Sequence, residues 1–368
     1  MESYLTKMAD VIINYSVAVQ PGERVLIRST SPAAEPLAQA LYQAALKAGG
    51  QAFTYIHMAD EDVLAIEATD DPALLGAVNP MLKLMYESCH CIVRIDAPEN
   101  PRALSDYPPE LQRARARAGA EVLHIQMVRE GNGSLRRCTT QFPTQGLAQA
   151  AGMSQRQYAN FVFEACKLHL DDPVAAWRQV EQEQQRLIDW LAGKQRMHVR
   201  GQNIDLTLSI EGRPFINCNG TANFPDGEIF TAPVEDSVNG WVRFSYPALY
   251  RGNEVIGAEL TFEDGLVTKA RAAKNEAFLL SVLDTDPGAR RLGEFAIGTN
   301  REIQRFTGSI LFDEKIGGTV HMAVGQGYLE SGSTNTSSVH WDMICDMRDG
   351  GEIEVDGELF YKDGEFVV

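Results

Sequence analysis

The chain is short of positive charge. Its 33 Lys and Arg stand against 50 Asp and Glu, a formal net charge of −17. A partner with a phosphate backbone needs a basic face, so no nucleic acid is expected. Cysteine is sparse: Cys89, Cys91, Cys138, Cys166, Cys218 and Cys345 show no spacing of a disulfide framework, which fits a reducing cytosol. Long apolar runs are missing as well. Nothing approaches the roughly 20 residues of a membrane span. The opening stretch, MESYLTKMADVIINYSVAVQ, carries Glu2, Lys7 and Asp10 where a signal peptide has its apolar core. The phosphate-binding glycine signature is also absent. The first strand-to-helix turn reads RSTSPAAEP, and Gly325-Gln326-Gly327 has Glu330 where a third glycine belongs.

What remains is the composition of an ordinary globular protein, 44% hydrophobic and 23% charged. A length of 368 residues suggests two domains. In the first half, Tyr4, Leu5, Met8, Ile12 and Tyr15 recur at helical spacing, and Pro21-Gly22 ends that helix. Four apolar runs then read as strands: ERVLIR at 23–28, QAFTYIHM from Gln51, CHCIVRID at 89–96 and EVLHIQM at 121–127. They alternate with helical stretches, the pattern of a parallel α/β sheet. Residues from Thr144 to about Ala192 are mostly helical. Beyond about 195 the character changes to short strands between Gly, Asn and Asp turns. One helix intrudes near Asn275–Asp284, and two Asp-Gly hairpins close the chain. The expected architecture is an α/β domain with a parallel sheet over 1–195, then a mainly antiparallel β (α+β) domain over 196–368.

Chemistry concentrates between Asp313 and Asp342, where His321, Tyr328, His340 and Asp342 fall together. In an extended strand, His340 and Asp342 point to the same face. With His321 from the β-like run TVHMA they make a donor set suited to a divalent metal. Two carboxylates upstream add to it. Glu228 follows the turn FPDG, and Glu294 sits in the apolar run LGEFAIG, where an unpaired carboxylate is costly to bury. Cys89-His90-Cys91 is expected to pack rather than bind metal, its two thiols sharing one face of a strand.

The runs PDGEIFTAP, LGEFAIGTN, FDEKIGGTVHMAVG with a tyrosine seven residues after its His, and SSVHWDM together resemble the aminopeptidase T family, metallopeptidases with two divalent ions in one site. The resemblance covers nearly the whole chain. It implies metal ligands at Glu228, Glu294, His321, His340 and Asp342, an active-site tyrosine at Tyr328, and Zn, Co or Mn as the two ions. It further implies peptide substrates and a homodimer; an ion that binds the substrate's α-amine would select free N-termini, the cysteine usage fits a cytoplasmic setting, and the lack of long apolar runs predicts no membrane partner. The interval from His321 to His340, nineteen residues, is short for the family and bears on the shape of the substrate pocket. Asp313-Glu314-Lys315 reads either as a group orienting a ligand His or as a solvated charge run. Gly293, Gly317, Gly318 and Gly325 either let backbone pass close to the ligands or make ordinary turns. An alternative chemistry needs only His321, His340 and Asp342: a mononuclear Fe(II) ring-cleaving dioxygenase with a two-His-one-carboxylate centre. Glu228 and Glu294 have no place in that triad.

Overall fold

The structure, a computed structural model, describes residues 2–368. The chain forms two compact units, one of residues 2–176 with Gly220–Pro225 and one of Trp177–Asn219 with Asp226–Val368. No described helix is long and apolar enough to cross a membrane.

The first unit is built on a five-stranded parallel sheet. Its order is Gln51–Ile56, Arg24–Ser29, Cys91–Asp96, Arg136–Gln141 and Asn223–Phe224. The central strands are the most apolar: Val25, Leu26 and Ile27 and then Cys91, Ile92 and Val93 are fully buried, as parallel strands covered on both faces must be. One expected strand is a helix. EVLHIQM lies inside the helix Ala120–Gly131, with Val122 and Ile125 turned to a cluster around Leu26, Tyr86 and Ile92. Those two residues are three apart, one helical face, while Leu123 and Met127 are exposed. The fourth strand is instead Arg136–Gln141, a polar run (RRCTTQ) that buries Cys138, Thr140 and Gln141.

The helix Pro173–Leu191 passes into the second unit. A boundary near 195 follows from composition. The division falls at Trp177, because Leu187 and Leu191 of this helix pack into the second core.

That core lies between two antiparallel sheets. An eight-stranded sheet contributes Met197, Val199, Leu206, Leu208, Leu260 and Phe262. Its end is made by the two Asp-Gly hairpins around Asp356-Gly357 and Asp363-Gly364. The other sheet has five strands: β1 (Ile216–Cys218), β2 (Glu228–Thr231), β3 (Leu292–Gly298), β4 (Thr319–Gly325) and β5 (His340–Asp346). Each pairs antiparallel with the next, giving the order β5-β4-β3-β2-β1. The helix Glu276–Leu283, expected at 275–284, adds Leu279, Val282 and Leu283 to the same core.

Candidate metal centre

Strand alternation decides which side chains meet. Ile229 of β2, Phe295 and Ile297 of β3, Val320, Met322 and Val324 of β4, and Trp341, Met343 and Cys345 of β5 all face the shared core. The residues between them face the other way: Glu228, Glu294, His321, His340 and Asp342. All five expected ligands therefore stand on one face of one sheet.

Register sets their spacing. Glu294, Ala323 and Asp342 form a row across β3, β4 and β5. Ala296 lies opposite His321, and Gly298 opposite Glu228. The small side chains of Ala296 and Ala323 leave the space over the sheet to the longer donors. A bulge at Gly293 shifts the register between Leu292 and Glu294. A Cβ there would come within 2.4 Å of the carbonyl oxygens of Gly325 and Gln326, so only glycine fits. Gly325 has φ +97°, and a side chain there would strike the Val339 carbonyl at 2.1 Å. This turn brings the Gln326 carbonyl to His340.

His321 Nε2 lies 3.2 Å from Glu294 Oε1 and 3.3 Å from Glu228 Oε2. His340 Nε2 lies 3.3 Å from Asp342 Oδ2 and 3.9 Å from Glu294 Oε2. Glu294 thus gives one oxygen to each imidazole. Metal–ligand bonds of about 2.0–2.1 Å at tetrahedral angles separate donors by about 3.3–3.4 Å. The closer donor pairs here have that spacing.

Without a cation the cluster is under-satisfied. Glu228 Oε2, Asp342 Oδ1 and His321 Nδ1 are buried with no hydrogen-bond partner, at about 1–3 kcal/mol for each such group. For Glu228 the reason is directional: the one imidazole N–H at His321 Nε2 bonds Glu294 and cannot also bond Glu228. An ion carries no such limit, so the donor set fits a metal. Proton affinities lean the same way. Burial pushes the Glu228 carboxyl up to about 8, and burial also raises Glu294. Burial opposes a charge on His321, but the Glu294 hydrogen bond and the Glu228 carboxylate raise it to about 9. His340 rises to about 10 against its own burial, through Asp342 and then Glu294. Its Nδ1 donates to the Gln326 carbonyl at 2.7 Å, which leaves Nε2 as the atom aimed at the carboxylates.

Tyr328 stands just after β4 with 49% of its surface exposed. Its ring lies 5.5 Å from His340, edge-on, and 5.6 Å from Phe230. The Asp313-Glu314-Lys315 run is divided in its roles, and none of the three is bonded to an imidazole nitrogen in the way expected of a group orienting a ligand His. Asp313 is buried and accepts from Thr307 and Gly308, a loop brace. Lys315 is fully buried, 3.6 Å from Glu228 and 3.8 Å from Asp226, and bonded to Glu314. Sequence reasoning misses Asp226 as part of the centre and leaves Lys315 open, in a run that either orients a ligand His or faces solvent. A lysine beside a glutamate and an aspartate in a turn look like surface charge until the fold buries them. Cys218 of β1 also lies within reach of Asp226 and Glu228.

Comparison with known proteins gives a consistent picture. A family model described as thermophilic metalloprotease (M29) matches residues 1–366. "Aminopeptidase 2" of Geobacillus stearothermophilus is 29% identical, covering 99% of this chain and 95% of that protein. The structure of wild-type AmpT from Thermus thermophilus superposes with a TM-score of 0.84 at 25% identity, covering 99% of both chains. The 2,5-dihydroxypyridine dioxygenase of Pseudomonas putida KT2440 reaches a TM-score of 0.62 at 14% identity, over 100% of this chain and 98% of that one, a likeness of fold.

Proposed function

The chain belongs to the M29 family, the thermophilic metalloproteases, and from that premise we propose a metal-dependent aminopeptidase in which Glu228, Glu294, His321, His340 and Asp342 hold two divalent ions. The observation that carries this reading is the division of Glu294, Oε1 toward His321 and Oε2 toward His340. Glu294 would then be a carboxylate within reach of both sides of the centre, with Glu228 and His321 as donors on one side and His340 and Asp342 on the other. The division also disfavours the two-His-one-carboxylate alternative, which leaves Glu228 buried beside His321 without a role. Two ions bound there would bring a water to a near-neutral pKa and polarise the scissile carbonyl; zinc, cobalt and manganese all suit mixed nitrogen and oxygen donors.

The chain's own residues supply the rest. Gln326 fixes the His340 ring through Nδ1. Tyr328, beside that ring, is proposed to donate its phenolic hydrogen to the carbonyl oxygen as negative charge develops there. A wall of carboxylates favours the amine end of a peptide over its carboxylate end, which supports a requirement for a free N-terminus. A cytoplasmic setting and a homodimer belong to the same proposal. Six thinly spread cysteines with no disulfide-framework spacing support the first, and sedimentation analysis tests the second.

The central test is Glu294→Gln, with metal counted by mass spectrometry and turnover measured on an aminoacyl anilide and its N-acetyl form. Most activity and at least one ion should be lost while circular dichroism stays unchanged, and the wild type should not cleave the blocked substrate. Near-wild-type turnover with two ions retained would refute the shared-ligand assignment. Equal rates on free and blocked substrate would refute the aminopeptidase.

A further inference from the structure

Lys315 is a cation the fold has placed inside the centre. It follows the short helix Ile310–Asp313 and has no exposed surface. A buried ammonium is costly unless paired, and three carboxylates surround this one. Its Nζ lies 3.6 Å from Glu228 Oε1, 3.8 Å from Asp226 Oδ1, and in hydrogen-bond contact with Glu314. The main chain locks its position: the Asn300 N–H donates to the Lys315 carbonyl, and the Asn300 side chain donates to the Asp226 carbonyl.

The two glutamates of the ligand set differ in one respect. Both oxygens of Glu294 face imidazoles. Glu228 turns Oε2 to His321 but Oε1 to Lys315. Charge points the same way. Asp226, Glu228, Glu294, Glu314 and Asp342 are five carboxylates in one cluster. Two divalent ions offset four of them, and the ammonium offsets the fifth.

We propose that Lys315 is a positioning residue: it holds Glu228 as a one-oxygen ligand of the His321 half of the centre and keeps Asp226 and Glu314 out of the ligand set. This rests on the two-ion reading. Lys315 acts through Glu228, whose Oε1 it faces at 3.6 Å.

The test is Zn2+ binding in chelator-buffered solution, with ions counted per chain, on the wild type, Lys315→Met, Glu228→Gln and the double variant. Lys315→Met keeps the length of the stem and removes the charge. It should weaken one ion by about 10- to 100-fold, the range for partners that orient metal ligands, and leave the other at wild-type affinity. The ion affected should be the one Glu228→Gln weakens, and the double variant should be no worse than Glu228→Gln alone. Lys315→Ala should regain that ion in the presence of ethylammonium but not of sodium. Should Lys315→Met not fold, Lys315→Gln carries the same expectation. Two ions at wild-type affinity in the variant overturn the proposal, as does additive loss in the double variant. A wild type that does not hold two ions overturns the two-ion reading instead.

Discussion

Replacing Tyr328 by phenylalanine removes one hydroxyl and little else. The ring contacts with His340 and Phe230, at 5.5 and 5.6 Å, are made by carbon atoms that phenylalanine keeps. The side chain is 49% exposed, so the change in folding stability should stay within about 0.5 kcal/mol. The ligand set is untouched, and both ions should remain after dialysis. If the phenol stabilises the developing oxyanion, kcat should fall by about 10²–10³-fold, or ~3–4 kcal/mol. KM should change little, because that bond is strongest in the transition state. The assay is steady-state hydrolysis of an aminoacyl anilide, with metal content and a thermal melt on the same preparation. An unchanged kcat with two ions bound would remove Tyr328 from the chemistry. Loss of an ion would make it a ligand instead.

Two further outcomes follow from the loops behind the ligands. Gly293→Ala should lower the urea midpoint by an amount equivalent to about 1–3 kcal/mol, because the new Cβ meets the Gly325 and Gln326 carbonyls at 2.4 Å; metal content should fall with it, since Glu294 is the next residue, and an unchanged midpoint would refute the close fit. Asp286 accepts from Ser338 N–H and O–H at 2.9 Å and from the N–H groups of Gly288 and Ala289 at 3.0 Å. Those bonds, the Ser338 amide first, hold its carboxyl down at about 2. Its folded pKa is below the unfolded value of about 3.9, so its stabilisation is complete above that value and is lost as pH falls toward 2. Asp286→Ala should therefore melt below the wild type at neutral pH, with the gap closing between about pH 4 and 2; a gap independent of pH would refute the assignment.

Some of the candidate donors stand out in the sequence because they break a local rule, while the full set of five is what the family resemblance implies. A glutamate amid Leu, Phe, Ala and Ile, and a His-x-Asp on a strand, stand out against their neighbours. Alternation then says that His340 and Asp342 share a face, but not that β3 and β4 bring Glu294 and His321 to the same face; that comes from pairing between distant segments. The bulge at Gly293 is likewise invisible in one dimension. Asp226 is illegible for the opposite reason, and the run holding Lys315 stays ambiguous, since charged residues in turns are what a surface looks like. The helix Ala120–Gly131 is ambiguous in sequence because a run of seven residues with many apolar side chains fits a strand as well as a half-buried helix. The strand Arg136–Gln141 hid because it has little apolar surface, its burial resting on Cys138, Thr140 and Gln141.

The register of the five-stranded sheet separates two things that enzymes often combine. His321 and His340 end up in one cluster because β4 and β5 pair directly, Gly325 opposite His340, whatever the length of the chain between them. Residues 326–339 form the connection outside that ladder. Among them Gln326 orients His340 through its carbonyl, Tyr328 lies edge-on to that ring, and Asn335 donates to the Gly325 carbonyl; exposed residues such as Leu329 and Glu330 are the ones that can change without moving a donor atom. A scaffold arranged this way can vary the exposed part of one hairpin loop while the paired strands keep the candidate donors in place.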